Sequence, residues 1–154
     1  MTHPIDTRLA ELGITLPDAP APAANYVPYV ITGNQLFVSG QISSTENGLI
    51  IGKIGQDLSV EDGVAAAKAC AISLLAQLKS ACDGDFSKFS RVVKLVAFVN
   101  STPDFTQQPV VVNGASDFLV DALGDQGRHA RSAVSAAALP LGVAVEIEAI
   151  FELK

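Results

Sequence analysis

The stretch Arg131-Ser-Ala-Val-Ser-Ala-Ala-Ala-Leu-Pro-Leu-Gly-Val-Ala-Val-Glu-Ile-Glu-Ala-Ile150 constrains the fold more than any other. It reads as two short strands joined by a Leu-Pro-Leu-Gly turn, with Pro140 and Gly142 as punctuation. Val143, Val145, Ile147 and Ala149 alternate with Ala144, Glu146, Glu148 and Ile150, the period of a strand. The first strand opens on an arginine, and the second carries two carboxylates in an otherwise apolar run. Removing a charge from water is costly unless it is paired or hydrogen-bonded. Arg131 therefore forms either a structural pair with Glu146 or Glu148, or a polar site in an apolar wall. Glu146 and Glu148, two residues apart, share one strand face.

The rest of the chain supplies the body around this stretch. Residues 5–12 suit a short amphipathic helix, with Ile5, Leu9 and Leu12 on one side and Gly13 as the stop. The segment Leu16-Pro-Asp-Ala-Pro-Ala-Pro-Ala-Ala excludes helix, so it should run extended over the body. Tyr26 to Thr32 and Gln35 to Ser39 read as a hairpin about Gly33-Asn34, ending at Ser39-Gly40-Gln41. Leu49 to Ile54 is a third strand expectation. Ser59-Val-Glu-Asp62 resembles a capping box, and Val60, Val64, Ala67, Ala71, Leu74, Leu75 and Leu78 form the buried stripe of the helix it opens. Asp83-Gly84-Asp85 stops that helix. Arg91 to Asn100 is a largely apolar strand, expected to be covered on both faces. Pro109 to Leu123 is a second helix, stopped by Gly124, and Asp125 to Ala130 is a loop, with Gly127-Arg128-His129 solvated.

The resulting order, β-β-β-α-β-α-β-β after the arm, predicts an α+β fold with one mixed sheet, hairpins at each end, and both helices on one face. The opposite face would need a cover that the chain does not contain, apart from its arm. Contact with further copies is the natural solution, and a composition 49% hydrophobic and only 17% charged agrees with it. The length of 154 residues suits one domain, residues 1–154, with residues 1–24 as an arm.

Net charge of −6 with no basic stripe argues against a nucleic-acid partner. The first residues lack the apolar core of a secretion signal, and no apolar run approaches the ~20 residues of a membrane span. Cys70 and Cys82, twelve apart in one helix, would lie about 18 Å apart and cannot bridge each other, which suits a reducing cytoplasm. His3 and His129 are the only histidines, with no cluster at metal-ligand spacing, so no metal is expected. Gly48-Leu-Ile-Ile-Gly52-Lys53-Ile54 falls short of a phosphate loop by one residue and by the missing Ser or Thr. No nucleophile elbow is present.

Arg131-Ser-Ala-Val, Leu139-Pro140 and Val145-Glu-Ile-Glu-Ala-Ile150 together resemble the C-terminal signature of the reactive-intermediate deaminase family, RidA or YjgF. Pro28-Tyr29-Val30 and Ser39-Gly40-Gln41 resemble its N-terminal hairpin, and Val96 to Asn100 followed by Asp104-Phe105 its central strand and turn. The arm, the Asn25-Tyr-Val-Pro-Tyr29 form and the longer loop near Gln107 are closer to a divergent branch labelled endoribonuclease-like or chorismate-mutase-like. The resemblance implies a chorismate-mutase-like fold and a homotrimer with a central barrel and clefts between chains. It implies hydrolysis of 2-imino or enamino acids to 2-oxo acids and ammonia, without a cofactor. By position, Arg131 would grip the substrate carboxylate and Glu146 would hold the attacking water. Tyr29, Ser39, Gly40 and Asn113 would line the cleft. Ala133 stands where the family often has cysteine, and its backbone amide would also meet the carboxylate. A non-catalytic binder or sensor of small 2-oxo acids would use the same cleft. A nuclease would meet electrostatic repulsion.

Overall fold

The computed structural model describes residues 2–154, so Met1 of the expected arm lies outside the described residues. Helix α1, Pro4–Glu11, starts and ends one position earlier than the expected 5–12, leaving Leu12 as its C-cap, and its Ile5 and Leu9 are buried. The His3 side chain caps it by accepting from the Ile5 amide. Strands β1, Tyr29–Thr32, and β2, Gln35–Ile42, form the expected hairpin. Gly33 occupies its turn at φ +60°, a region that favours glycine. Strand β2 does not end at Ser39-Gly40-Gln41. The register shifts between Val38 and Gln41, and the strand resumes as far as Ile42. These residues form a bulge, which an extra residue creates without terminating the ladder.

The third strand expected over Leu49 to Ile54 is not there. Strands β3, Ser44–Thr45, and β4, Gly48–Leu49, make a separate small hairpin, and Ile51 and Ile54 contribute only isolated bridges. Gly52 and Gly55, at φ +139° and +91°, interrupt the extended run. Helix α2, Val60–Ala81, begins with the capping box: the Asp62 carboxylate accepts from the Ser59 amide and the Ser59 hydroxyl from the Asp62 amide. At 22 residues α2 is long and apolar enough to cross a membrane, contrary to the sequence expectation, yet most of it is buried inside the fold. Strand β5, Phe89–Asn100, helix α3, Gln108–Leu123, strand β6, Ala130–Ala136, and strand β7, Val145–Leu153, complete the chain.

The main sheet has the order β1-β2-β7-β5-β6. β7 lies antiparallel between β2 and β5, and β6 runs parallel to β5 on the edge. The hairpin expected from Arg131 to Ile150 is therefore replaced by a crossing: β5 separates its two strands. The parallel β5–β6 pair needs a long crossover, and α3 supplies it. Leu36, Val92, Leu95, Ala97, Val99, Ile147 and Phe151 point to the helices and are fully buried with Leu74, Leu75, Leu78 and Leu119. Each large side chain so buried contributes about 1.5–3 kcal/mol. Gly114 lets α2 and α3 approach, since a Cβ there would run into the Val64 carbonyl. Among the described residues no helix covers the other face of the sheet. There Phe37 pairs with Ile150, Val96 with Glu148 and Phe98 with Glu146. Phe37 and Val134 remain 40% and 46% exposed, and on the same face of β5 Lys94 is exposed and Val96 and Phe98 are only half-buried, so the cover expected over both faces of β5 is incomplete among the described residues.

Candidate functional site

Glu146 sits on the helix-free face of the central strand, flanked by Ile42 and Phe98. Its side chain lies across Gly40 in the β2 bulge: a Cβ on Gly40 would come within 2.9 Å of the Glu146 Cδ. Burial, with the Glu148 charge two residues on as a lesser cause, raises the Glu146 carboxyl above the ordinary carboxylate range. Ser39, next to Gly40, donates its hydroxyl to the Val27 carbonyl at 2.8 Å and its amide to the Pro28 carbonyl at 2.9 Å. That fixes the bulge against the chain entering β1. Tyr29 opens β1 opposite Val38 and packs half-buried on the core edge.

A cavity of about 340 Å³ opens over Glu146 and Gly40, walled by Ile42, Leu141 and the Pro20–Ala24 stretch of the arm. Gln77 of α2 holds that stretch down through a 2.7 Å bond from its Nε2 to the Pro20 carbonyl. The arm thus runs over the body as its prolines require. Its part in the Glu146 cavity carried no sequence signal beyond that exclusion of helix.

Arg131 lies elsewhere. It pairs with Leu95, so it points to the helix side of the sheet, half-buried on edge strand β6. Its Nη1 donates to Ser116 Oγ at 3.0 Å and its Nη2 to the Pro109 carbonyl at 3.2 Å, both on α3. Among the described residues no ion pair involves Arg131, Glu146 or Glu148. The structural pair that the sequence left open is therefore not formed. Of the five guanidinium N–H donors, those not engaged by Ser116 and Pro109 have no partner among the described residues. Ala133, two residues on, shares the Arg131 face. Asn113 is exposed on α3, four residues beyond Pro109 and three before Ser116, on the helix side that Arg131 overlies.

Six of the seven expected residues thus form two half-sites. Ser39, Gly40 and Glu146 gather on one face; Arg131, Ala133 and Asn113 gather on the other side, beyond β5; Tyr29, opposite Val38 and packed on the core, lies on the helix side of β1 outside the Glu146 cavity and joins neither. Two strand spacings, about 10 Å, separate the backbones of β6 and β7. The sequence also treated Gly127-Arg128-His129 as solvated, but Gly127 is buried and His129 half-buried. The His129 Nε2 lies 2.8 Å from Ser116 Oγ and its Nδ1 2.6 Å from the Gly127 carbonyl. The two-residue step from His129, just ahead of β6, to Arg131 within it was the available signal. Among the described residues no three His, Cys, Asp or Glu side chains gather as metal ligands.

Residues 6–153 match the family model described as "YjgF/chorismate mutase-like, putative endoribonuclease". The chain is 50% identical to Protein TCP17 of Trypanosoma cruzi over 151 residues, 97% of this chain and 94% of that one. It is 29% identical to a 2-iminobutanoate/2-iminopropanoate deaminase of Dermatophagoides farinae over 139 residues, 89% of this chain and 92% of that one. A crystal structure of a protein of unknown function from Agrobacterium tumefaciens, 47% identical, superposes with a TM-score of 0.90 over 98% of this chain and 94% of that one.

Proposed function

The chain belongs to the YjgF/chorismate mutase-like family, and from that membership we propose that it hydrolyses reactive 2-imino acids to 2-oxo acids and ammonia. The reaction takes place in a cleft shared by two subunits of a homotrimer, in the cytoplasm. The observation that carries this reading is the pairing of two incomplete half-sites: a carboxylate of raised pKa lying over a glycine, and an arginine fork with no carboxylate. A small imino acid cannot reach from one face of a sheet to the other, so Arg131 of one chain and Glu146 of another meet across the boundary. The helix-free sheet face, with Phe37 and Val134 exposed, supplies surface for that contact. The whole chain acts as one RidA-like domain, with its arm roofing the Glu146 half.

The Arg131 fork binds the substrate carboxylate through parallel hydrogen bonds and fixes the imine carbon over Glu146. The backbone amide of Ala133 adds a donor to the same carboxylate, and Asn113 and Tyr29 close the cleft. The protonated imine is the electrophile. A water held by Glu146 adds to the imine carbon, and the carboxylate takes the water proton. A base with a raised pKa suits that step near neutrality. The proton then passes to the departing nitrogen, the C–N bond breaks as the carbinolamine hydroxyl gives its proton back to the Glu146 carboxylate, and the 2-oxo acid and ammonia leave.

The test is complementation between chains. Arg131→Ala and Glu146→Gln are each expected to abolish ammonia release from freshly generated 2-iminopropanoate. When the two variants are mixed, unfolded and refolded together, random assembly restores about a quarter of the wild-type sites in a cyclic oligomer. Persistent inactivity of the mixture, with each variant folded and trimeric, would refute a site built from two chains. Full activity of Arg131→Ala would refute the carboxylate grip. A protein that binds 2-oxo acids with no turnover in wild type would be the sensor.

A further inference from the structure

We propose that Ser116 and His129 are positioning residues that aim the Arg131 guanidinium at the substrate carboxylate. This rests on the reading of Arg131 as the carboxylate grip. The chain of contacts fixes every proton in it. The Gly127 carbonyl can only accept, so His129 Nδ1 donates to it across 2.6 Å. The neutral imidazole then offers Nε2 as an acceptor, and the Ser116 hydroxyl donates to it across 2.8 Å. With its proton so engaged, the Ser116 oxygen presents lone pairs to Arg131 Nη1 at 3.0 Å. Each bond polarises the next in the same direction.

The relay is anchored where the fold is least able to yield. Gly127 is buried in the 3-10 turn, Gly124–Gly127, that follows α3, and a Cβ there would meet the Leu119 carbonyl and the Val120 Cα, so its carbonyl is fixed in place. Pro109, whose carbonyl takes Nη2, lies in the first turn of the same helix. The guanidinium is therefore held at two points on one rigid element, seven residues apart, and its remaining donors have no partner among the described residues. A long side chain on an edge strand would otherwise sample several rotamers and lose that entropy on binding. Burial and the nearby Arg131 charge lower the His129 pKa, which keeps a second cation out of the relay.

The experiment measures KM and kcat for ammonia release from 2-iminopropanoate in Ser116→Ala, His129→Ala, His129→Gln and Arg131→Ala, with circular dichroism melts of each. Ser116→Ala and His129→Ala are expected to raise KM about tenfold with kcat nearly unchanged, as loss of uniform binding does. His129→Gln places an amide oxygen where Nε2 stood, so it restores KM toward wild type. A merely structural role lowers the melting point and the folded fraction but leaves KM alone. Wild-type KM in both alanine variants, with Arg131→Ala inactive, overturns the relay and leaves the grip standing. Wild-type KM in Arg131→Ala overturns the grip itself.

Discussion

Gly40→Ala tests the site through a single methyl group. Gly40 carries no positive φ, so alanine fits its backbone without strain. The added Cβ would lie 2.9 Å from Glu146 Cδ, 3.1 Å from its Cγ and 3.1 Å from Oε2, where ordinary contact begins near 3.4 Å. The carboxylate must retreat by about half an ångström at least, and more if it changes rotamer. It is the far end of a flexible side chain, so it moves at little cost to the fold. Gly→Ala also gains about 0.4–1 kcal/mol through the unfolded chain, which offsets most of the crowding. The expected outcome is a melting point within a few degrees of wild type and a kcat for imine hydrolysis lower by about 10- to 100-fold, since an ångström of misplacement costs about a hundredfold. The assay follows ammonia release from 2-iminopropanoate by coupled oxidation of a reduced nicotinamide, beside a thermal melt. A Gly40→Ala protein with kcat within threefold of wild type would refute the placement of Glu146 as the water-holding base.

Glu146→Gln removes a carboxylate whose pKa is raised in the fold, so its charged form opposes folding above that raised value. The variant should be more stable than wild type near neutral pH, by at most about 1 kcal/mol because the group is half in water. The gain should vanish as pH falls below the unfolded carboxylate pKa, where both states are protonated; melts across pH check the sign. In wild type, hydrolysis should fall as pH drops through that same raised pKa, a dependence that a pH–rate profile reads directly. Gly114→Ala drives a methyl into the Val64 carbonyl between α2 and α3 and should cost about 3 kcal/mol or more, roughly 10 °C in a melt. Cys70 and Cys82 are free and buried, and burial raises both thiols, so neither should react with an aromatic disulfide reagent until denaturant is added.

Local elements were legible because their causes are local. The Ser59–Asp62 capping box and the alternation of β7 stand where the periodicity placed them; of the expected α2 stripe, Ala67, Ala71, Leu74, Leu75 and Leu78 are buried, while Val60 and Val64 are only half-buried. The third strand failed because Gly52 turns the backbone inside the apolar run and Gly55 turns it again just beyond, and apolar content alone does not report φ. The Arg131 to Ile150 hairpin failed for a different reason. Its turn residues suit a reversal, but β6 gains more from pairing with β5 along seven registered positions, and β7 from pairing with β2 and β5 together. Ser116 and His129 carried no motif, because thirteen residues separate them in sequence and only the α3 crossover brings them together.

The sequence by itself determined the class of fold, both long helices and the strands of the main sheet, and the presence of one arginine and two strand carboxylates in apolar surroundings. Alternation within a strand fixes which residues share a face, so Glu146 and Glu148 were bound to lie together. The tertiary structure alone decided which face that is relative to Arg131. Strand order and register are set by pairings between distant segments, and the registers that align Leu95 with both Arg131 and Ala149 put the guanidinium and the Glu146 carboxylate on opposite sides of one sheet.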